Sequence, residues 1–237
     1  MDKTLKDIDV LILTGGQGTR LRSVVHDRPK TMAKIGQGPF LDIILGSLVE
    51  QGFKRFILCT GYMGEYIQDY YSMKFSEYEI SISHEEMPLG TGGAIRNAKA
   101  SIKSKIFLAL NGDSYCHVDF RKVIRCHLEN EAMLTMVVAE SSCSENYGNI
   151  KIHDNNRIRS FREKVTEDGD SLVNTGIYCL DRSILDVMSK EKTPYSLETD
   201  FFPSILSHRC FGYVSKSMLY DIGTPSGLNQ YIESGIP

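Results

Sequence analysis

Short apolar clusters bounded by turn residues recur through the first half of the chain. Val10–Leu13, Phe56–Cys59, Ile80–Ile82 and Ile106–Leu110 read as short, mostly buried strands. Between them, Leu41, Ile44, Leu45, Leu48 and Val49 fall on one helical stripe, and Gly52 stands where a helix C-cap is expected. Met63–Lys74 and Gly90–Ala98 are further helix candidates. The first 115 or so residues therefore predict βαβα repetition over a parallel sheet. In such sheets ligands bind beyond the carboxyl ends of the strands, so chemistry is expected just after each strand.

The second half changes style. Gly148–Ile152 and Arg157–Phe161 flank Asp154-Asn155-Asn156 and predict a β-hairpin. Val173–Leu180 predicts another strand; Leu197–Ser207 and Pro225–Glu233 predict helices. No linker, low-complexity tract or long repeat separates the halves. The expectation is one domain over 1–237, with a ligand-binding half to about 115 and a second half from about 116.

Composition narrows the class. Of 237 residues, 41% are hydrophobic and 24% charged, as in a folded globular protein. A net charge of −3 argues against a nucleic-acid binder. No apolar run approaches a membrane span, and Met1–Asp9 lacks the apolar core of a signal peptide, so a cytoplasmic protein is expected. Six scattered cysteines without a CxxC pair fit reduced thiols better than zinc or a disulfide framework. The six histidines show no ligand spacing.

Directly after the first strand comes GGQGTRLR at 15–22. Three glycines in four positions let backbone N–H groups approach phosphate oxygens closely. The spacing is neither that of a P-loop nor that of the dinucleotide fingerprint GxGxxG. Arg20, Arg22, Arg28 and Lys30 gather cations around it, which favours a polyphosphate site over a glycine-rich turn with incidental charges.

This run, with Pro29-Lys30 after it, resembles the sugar nucleotidyltransferases. Further motifs agree in order: EEMPLGTGGA at 85–94, NGD at 111–113, YG at 147–148, FREK at 161–164, NTG at 174–176 and DIGTP at 221–225. The resemblance spans Val10 to Tyr231. It is nearest to the bacterial branch that transfers GMP to D-glycero-α-D-manno-heptose 1-phosphate. Departures are Thr14, where many members have Ala, Arg22-Ser23-Val24 in place of a Pro-Leu-Thr stretch, and Thr31 after Lys30.

The resemblance implies a Rossmann-like, three-layer α/β fold with a mostly parallel mixed central sheet, and a homodimer. It implies attack of a sugar 1-phosphate on the α-phosphorus of a nucleoside triphosphate, with pyrophosphate leaving. Two anions meet, so cations must offset their repulsion. Arg20, a planar fork, suits the β- and γ-phosphates; Lys30, a compact charge, suits the α-phosphate. Leu13, Gly15, Gly16, Gly18, Thr19, Gly90, Thr91 and Gly112 are implied to contact the nucleotide. Asp113 and Asp221, 108 positions apart, are implied to hold Mg²⁺; either alone reads equally well as a solvated or capping aspartate. In the second half Gly148, Glu163, Lys164 and Asn174 are implied acceptor contacts, with Tyr147 as packing.

Glu85 stands where related enzymes read the base edge. A carboxylate accepts from both N1–H and the N2 amino group of guanine, and repels the acceptor edges of the other bases. GTP is therefore the expected donor, for a GDP-heptose used in surface polysaccharide. A uridylyl- or thymidylyltransferase on a hexose 1-phosphate is the alternative enzyme. A silent nucleotide-binding regulatory subunit is the alternative outside catalysis, and the full charge set argues against it.

Overall fold

The four apolar clusters of the first half become four neighbouring parallel strands in the computed structural model, which describes residues 5–74, 78–141, 147–163 and 171–236. In chain order, β1 (Asp9–Leu13) runs through the glycine loop to a ribbon of β2 (Lys34–Ile35) and β3 (Gly38–Pro39). There follow α1 (Phe40–Glu50), β4 (Arg55–Thr60), α2 (Gly64–Lys74), β5 (Glu79–His84), α3 (Thr91–Asn97) and β6 (Ile106–Asn111). The stripe on α1 is buried at Leu41, Ile44, Leu45 and Leu48, and Gly52 leaves the helix at φ +103°, a value that favours glycine.

The second half adds β7 (Ser114–Cys116), α4 (Phe120–Glu129), β8 (Leu134–Ser141), β9 (Gly148–Ile152), β10 (Ile158–Glu163) and β11 (Ser171–Asp181). It ends with α5 (Ile184–Val187), α6 (Phe202–Ile205), β12 (Cys210–Ser215), β13 (Leu219–Asp221) and α7 (Pro225–Glu233). One nine-stranded sheet runs β10-β9-β11-β6-β1-β4-β5, with β8 pairing β11 and β12. β10 and β11 run against the other strands, so the sheet is mixed but mostly parallel.

Strand alternation divides the core into two layers. Val10 and Ile12 join the cluster that includes residues of α1, α2, α4 and α7, while Leu11 joins the cluster with α3, α5 and α6. Helices thus cover both faces, the three-layer arrangement the resemblance implies.

One expectation is refined. The helix expected over Leu197–Ser207 forms over Leu197–Ile205, but as a π-helical turn over Leu197–Phe201 continued by the single-turn α6. Pro203 has no N–H to donate to the carbonyl four residues back, so the regular ladder cannot run through it. The predicted hairpin forms, with Ile158 opposite Ile152 and Asn156 at φ +62° in its turn.

Candidate active site

The loops after β1, β4, β5 and β6 meet at one end of the sheet because their backbones continue the strand register. Thr14 N donates to Cys59 O (2.9 Å), Gly112 N to Leu13 O (3.0 Å), Tyr62 N to Gly15 O (3.3 Å) and Glu85 N to Thr60 O (2.8 Å). This close approach requires glycine at two positions in particular. A Cβ on Gly15 would lie 2.9 Å from Glu85 Oε1 and 3.1 Å from Gly61 N; one on Gly112 would lie 2.8 Å from Leu13 O.

The four cations near the loop separate into different roles. Lys30 Nζ donates to Asp113 Oδ2 as a largely buried ion pair. Arg20 reaches the same place: a Cβ on Gly223 would lie 2.8 Å from Asp221 Oδ1, 3.1 Å from Arg20 Nη2 and 3.5 Å from Asp113 Oδ2. Arg28 instead forms a forked pair with Asp27 at 2.7 and 2.9 Å, on the surface. The Arg22 guanidinium lies over the Tyr62 ring, 4.9 Å from its centroid.

Backbone pairing brings the two aspartates together. β13 pairs antiparallel with β7, setting Asp221 opposite Ser114, and Ile222 N donates to Asp113 O (2.9 Å). Gly223 N caps Asp221 Oδ1 at 2.7 Å. Burial raises both carboxyls in principle, but Lys30, with help from Arg20, holds Asp113 below its ordinary value. Burial and the neighbouring Asp113 charge raise Asp221, against Gly223, Arg20 and Lys30. Two convergent carboxylates with few other protein ligands suit a hard cation that keeps oxygen positions for phosphates and water. Among the described residues no group of three or more His, Cys, Asp or Glu gathers. Nearby, Thr31 Oγ1 and Asn111 Oδ1 are buried without a hydrogen-bond partner among the described residues.

Beside this centre lies a cleft of about 230 Å³ lined by Gly15, Gln17, Gly61, Tyr62, Glu85 and Pro88, among others. Glu85 Oε2 accepts from Leu89 N (3.3 Å), and burial raises its carboxyl despite that bond and the neighbouring His84. Gly90 and Thr91 do not line this cleft; they pack against the second half of the chain. Gly90 has φ +79°, and a Cβ there would meet Tyr195 O at 2.6 Å. Thr91 Oγ1 donates to Glu198 Oε2 (2.7 Å) and accepts from Leu197 N (2.8 Å), so this hydroxyl serves the second half of the chain. Gly16 and Gly18 face the Lys30 stem, which would lie 3.1–3.2 Å from an added Cβ. Thr19 opens the single turn that carries Arg20.

In the second half, the β9–β10 register sets Glu163 directly opposite the buried Gly148. Asn174 lies nearby on β11, whose Leu172 and Val173 pair with β9. Its Nδ2 donates to Tyr178 Oη (2.7 Å) and its Oδ1 accepts from Gly176 N (3.0 Å). Lys164 lies outside the described residues. A larger hollow of about 830 Å³, lined by Tyr115, His117, Arg121 and Met218, contains none of the candidate residues.

The Nucleotidyl transferase family model matches residues 9–234. The chain belongs to the nucleotidyl transferase family. It is 36% identical over 219 residues to the D-glycero-alpha-D-manno-heptose 1-phosphate guanylyltransferase of Aneurinibacillus thermoaerophilus, covering 92% of this chain and 94% of that protein. It is 32% identical over 226 residues to the enzyme so named from Campylobacter jejuni, covering 95% and 99%. The crystal structure of HddC from Yersinia pseudotuberculosis complexed with GMP-PN superposes with a TM-score of 0.84 at 35% identity, covering 96% of this chain and 99% of that one.

Sequence reasoning about this nucleotidyl transferase passed over Tyr62, Gln17 and Gly223. Tyr62 carries no motif signal, and Gln17 sits inside GGQGTRLR, where the glycines and cations draw the reading instead. Gly223 sits inside DIGTP, where its closeness to three charged side chains depends on the β7–β13 pairing.

Proposed function

We propose that this nucleotidyl transferase moves GMP from GTP to D-glycero-α-D-manno-heptose 1-phosphate, releasing GDP-heptose and pyrophosphate in the cytoplasm. The observation that carries the base assignment is Glu85, whose carboxylate lies in the cleft against the backbones of Gly15 and Gly61. The similar guanylyltransferases supply the sugar part of the reading. Among the described residues no helix is long and apolar enough to cross a membrane.

An oxygen of the sugar phosphate forms the new bond to the α-phosphorus as the bond to the pyrophosphate oxygen breaks. The attacking oxygen is already ionised at neutral pH, so no general base is needed. Arg20 holds the β- and γ-phosphates, and the Gly15–Gly18 backbone admits them closely. Lys30 turns from Asp113 toward the α-phosphate, where negative charge must be offset during transfer. Asp113 and Asp221 would hold Mg²⁺, which when bound supplies charge compensation and a common anchor for both phosphates. Leu13 and Gly112, bonded where the ends of the parallel neighbours β1 and β6 meet, contact the nucleoside. Glu163, Lys164, Gly148 and Asn174 take the acceptor sugar and its phosphate.

Pyrophosphate release with GTP, UTP, dTTP, ATP and CTP, each with a panel of sugar 1-phosphates, tests this reading. GTP with the heptose phosphate should turn over fastest. In Glu85→Gln the preference for GTP should fall and at least one pyrimidine nucleotide should gain. A wild-type preference for UTP or dTTP sinks the guanylyl reading; an unchanged profile in the variant removes Glu85 from base selection.

A further inference from the structure

We infer that Tyr62, braced by Arg22, is a stacking wall of the cleft beside Glu85 and adds a purine-over-pyrimidine preference to the edge reading. The inference rests on the cleft being the base site. Three observations meet at this residue. Tyr62 lines the cleft together with Gly15, Gln17 and Glu85. Its backbone N–H donates to Gly15 O, so the ring is carried by the junction between the β1 and β4 loops. Its side chain is not packed into the core: the residue is 38% exposed, so its ring is available to a ligand in the cleft.

Arg22 supplies the missing support. It caps the single turn Thr19–Leu21 that carries Arg20, and its guanidinium lies 4.9 Å from the Tyr62 centroid. A cation on one face of an aromatic ring is attracted by the ring's negative face. The contact braces an otherwise exposed ring from one face. It also draws electron density from that ring, which suits stacking on an electron-rich base such as guanine. Arg22 is thus a positioning residue, and it links the phosphate loop physically to the base cleft.

The two devices divide the selection. Glu85 reads the hydrogen-bonding edge and separates guanine from adenine. Stacking depends on ring overlap and is indifferent to that edge, so Tyr62 favours both purines over the smaller pyrimidines.

Equilibrium binding of GTP, UTP and inorganic triphosphate, without acceptor, separates the ring from the charges. Tyr62→Ala should weaken GTP on the order of ten-fold, weaken UTP less, and leave inorganic triphosphate unchanged. Tyr62→Phe should behave as wild type. Arg22→Met should lose a few-fold for GTP but not for triphosphate, and Arg22→Lys should recover part of it. Circular dichroism and thermal melting should match wild type, since Tyr62 lies outside the core. Unchanged GTP binding in Tyr62→Ala, or equal losses for GTP and triphosphate, overturns the stacking wall. Failure of the guanine reading looks different: wild type would bind UTP better, while Tyr62→Ala would still lose nucleotide and spare triphosphate.

Discussion

The two halves of the sheet present their candidate binding groups by different means. At the ends of β1, β4, β5 and β6, the candidate surfaces are mostly backbone. Adjacent loops are stitched by N–H to carbonyl bonds, and Gly15 and Gly112 sit where any side chain would collide. Across the molecule, the β9–β10 hairpin and β11 offer register positions along strands, with Glu163 opposite Gly148. A backbone cradle suits groups that never vary, the phosphates, and resists substitution. Side chains on an antiparallel hairpin can be exchanged singly without moving a loop. On the proposed reading, a change of acceptor sugar needs few substitutions, whereas a change of donor must rework Glu85 and its glycine setting.

The largest expected effect tests the charge centre that serves both halves. Asp113→Asn keeps the shape but removes one carboxylate charge, and turnover should fall about 100-fold or more. Raised Mg²⁺ should restore part of it, with circular dichroism unchanged. Near-normal turnover at limiting Mg²⁺ would take Asp113 out of the metal site.

An intermediate effect should stay on one side of the comparison. Glu163→Ala removes a charged hydrogen-bond acceptor, a loss of about 1.5–3 kcal/mol. The Michaelis constant for the sugar phosphate should rise about 10- to 150-fold, with that for GTP nearly unchanged. A selective GTP defect would mean that the halves are not separate in function.

The smallest effect is one of pH. Burial raises the Glu85 carboxyl above its ordinary value, so it takes up a proton at a higher pH than a free glutamate. Preference for GTP over UTP should decline as pH falls toward that raised value, and the Glu85→Gln profile should be flat. For stability the sign is opposite to that of a salt-bridged acid. The folded state favours the protonated form, and that advantage is lost as pH rises through the folded value. Glu85→Gln should thus melt slightly higher than wild type at neutral pH, with the gap closing in acid. A wild-type preference independent of pH would separate Glu85 from base selection.

Local pattern made part of this legible. β1, β4 and β6 are short apolar runs, α1 is a clean stripe, and Asn156 marks the hairpin turn; β5 forms at Ile80–Ile82 but, as an alternating strand at the sheet edge, has no buried residue, against the expectation of a mostly buried one. α4 also has a readable signature, an Asp119 cap followed by Phe120, Val123, Ile124 and His127 on one buried side, but it lies outside every motif. β8 has no alternation to read, because its first six residues are buried on both faces. The π-turn after Ser196 depends on Pro203 and on Thr91, more than 100 residues earlier. The site shows the same limit. The glycine loop and its cations are contiguous and visible, but Arg22 and Arg28 look like Arg20 and Lys30 until their partners, Tyr62 and Asp27, are seen. No local rule draws Asp221 to Asp113; that takes the β7–β13 ribbon.

That ribbon makes the chemistry dependent on the order of synthesis. Asp113 leaves the ribosome with its strand β6, while its counterpart waits for β13, and Ile222 N must then reach back to Asp113 O. α7 follows at once, with Gly227 so close to the Asp221 carbonyl that an added Cβ would lie 1.9 Å from it. The carboxylate pair therefore stays incomplete until β13 has been made, 108 positions after Asp113.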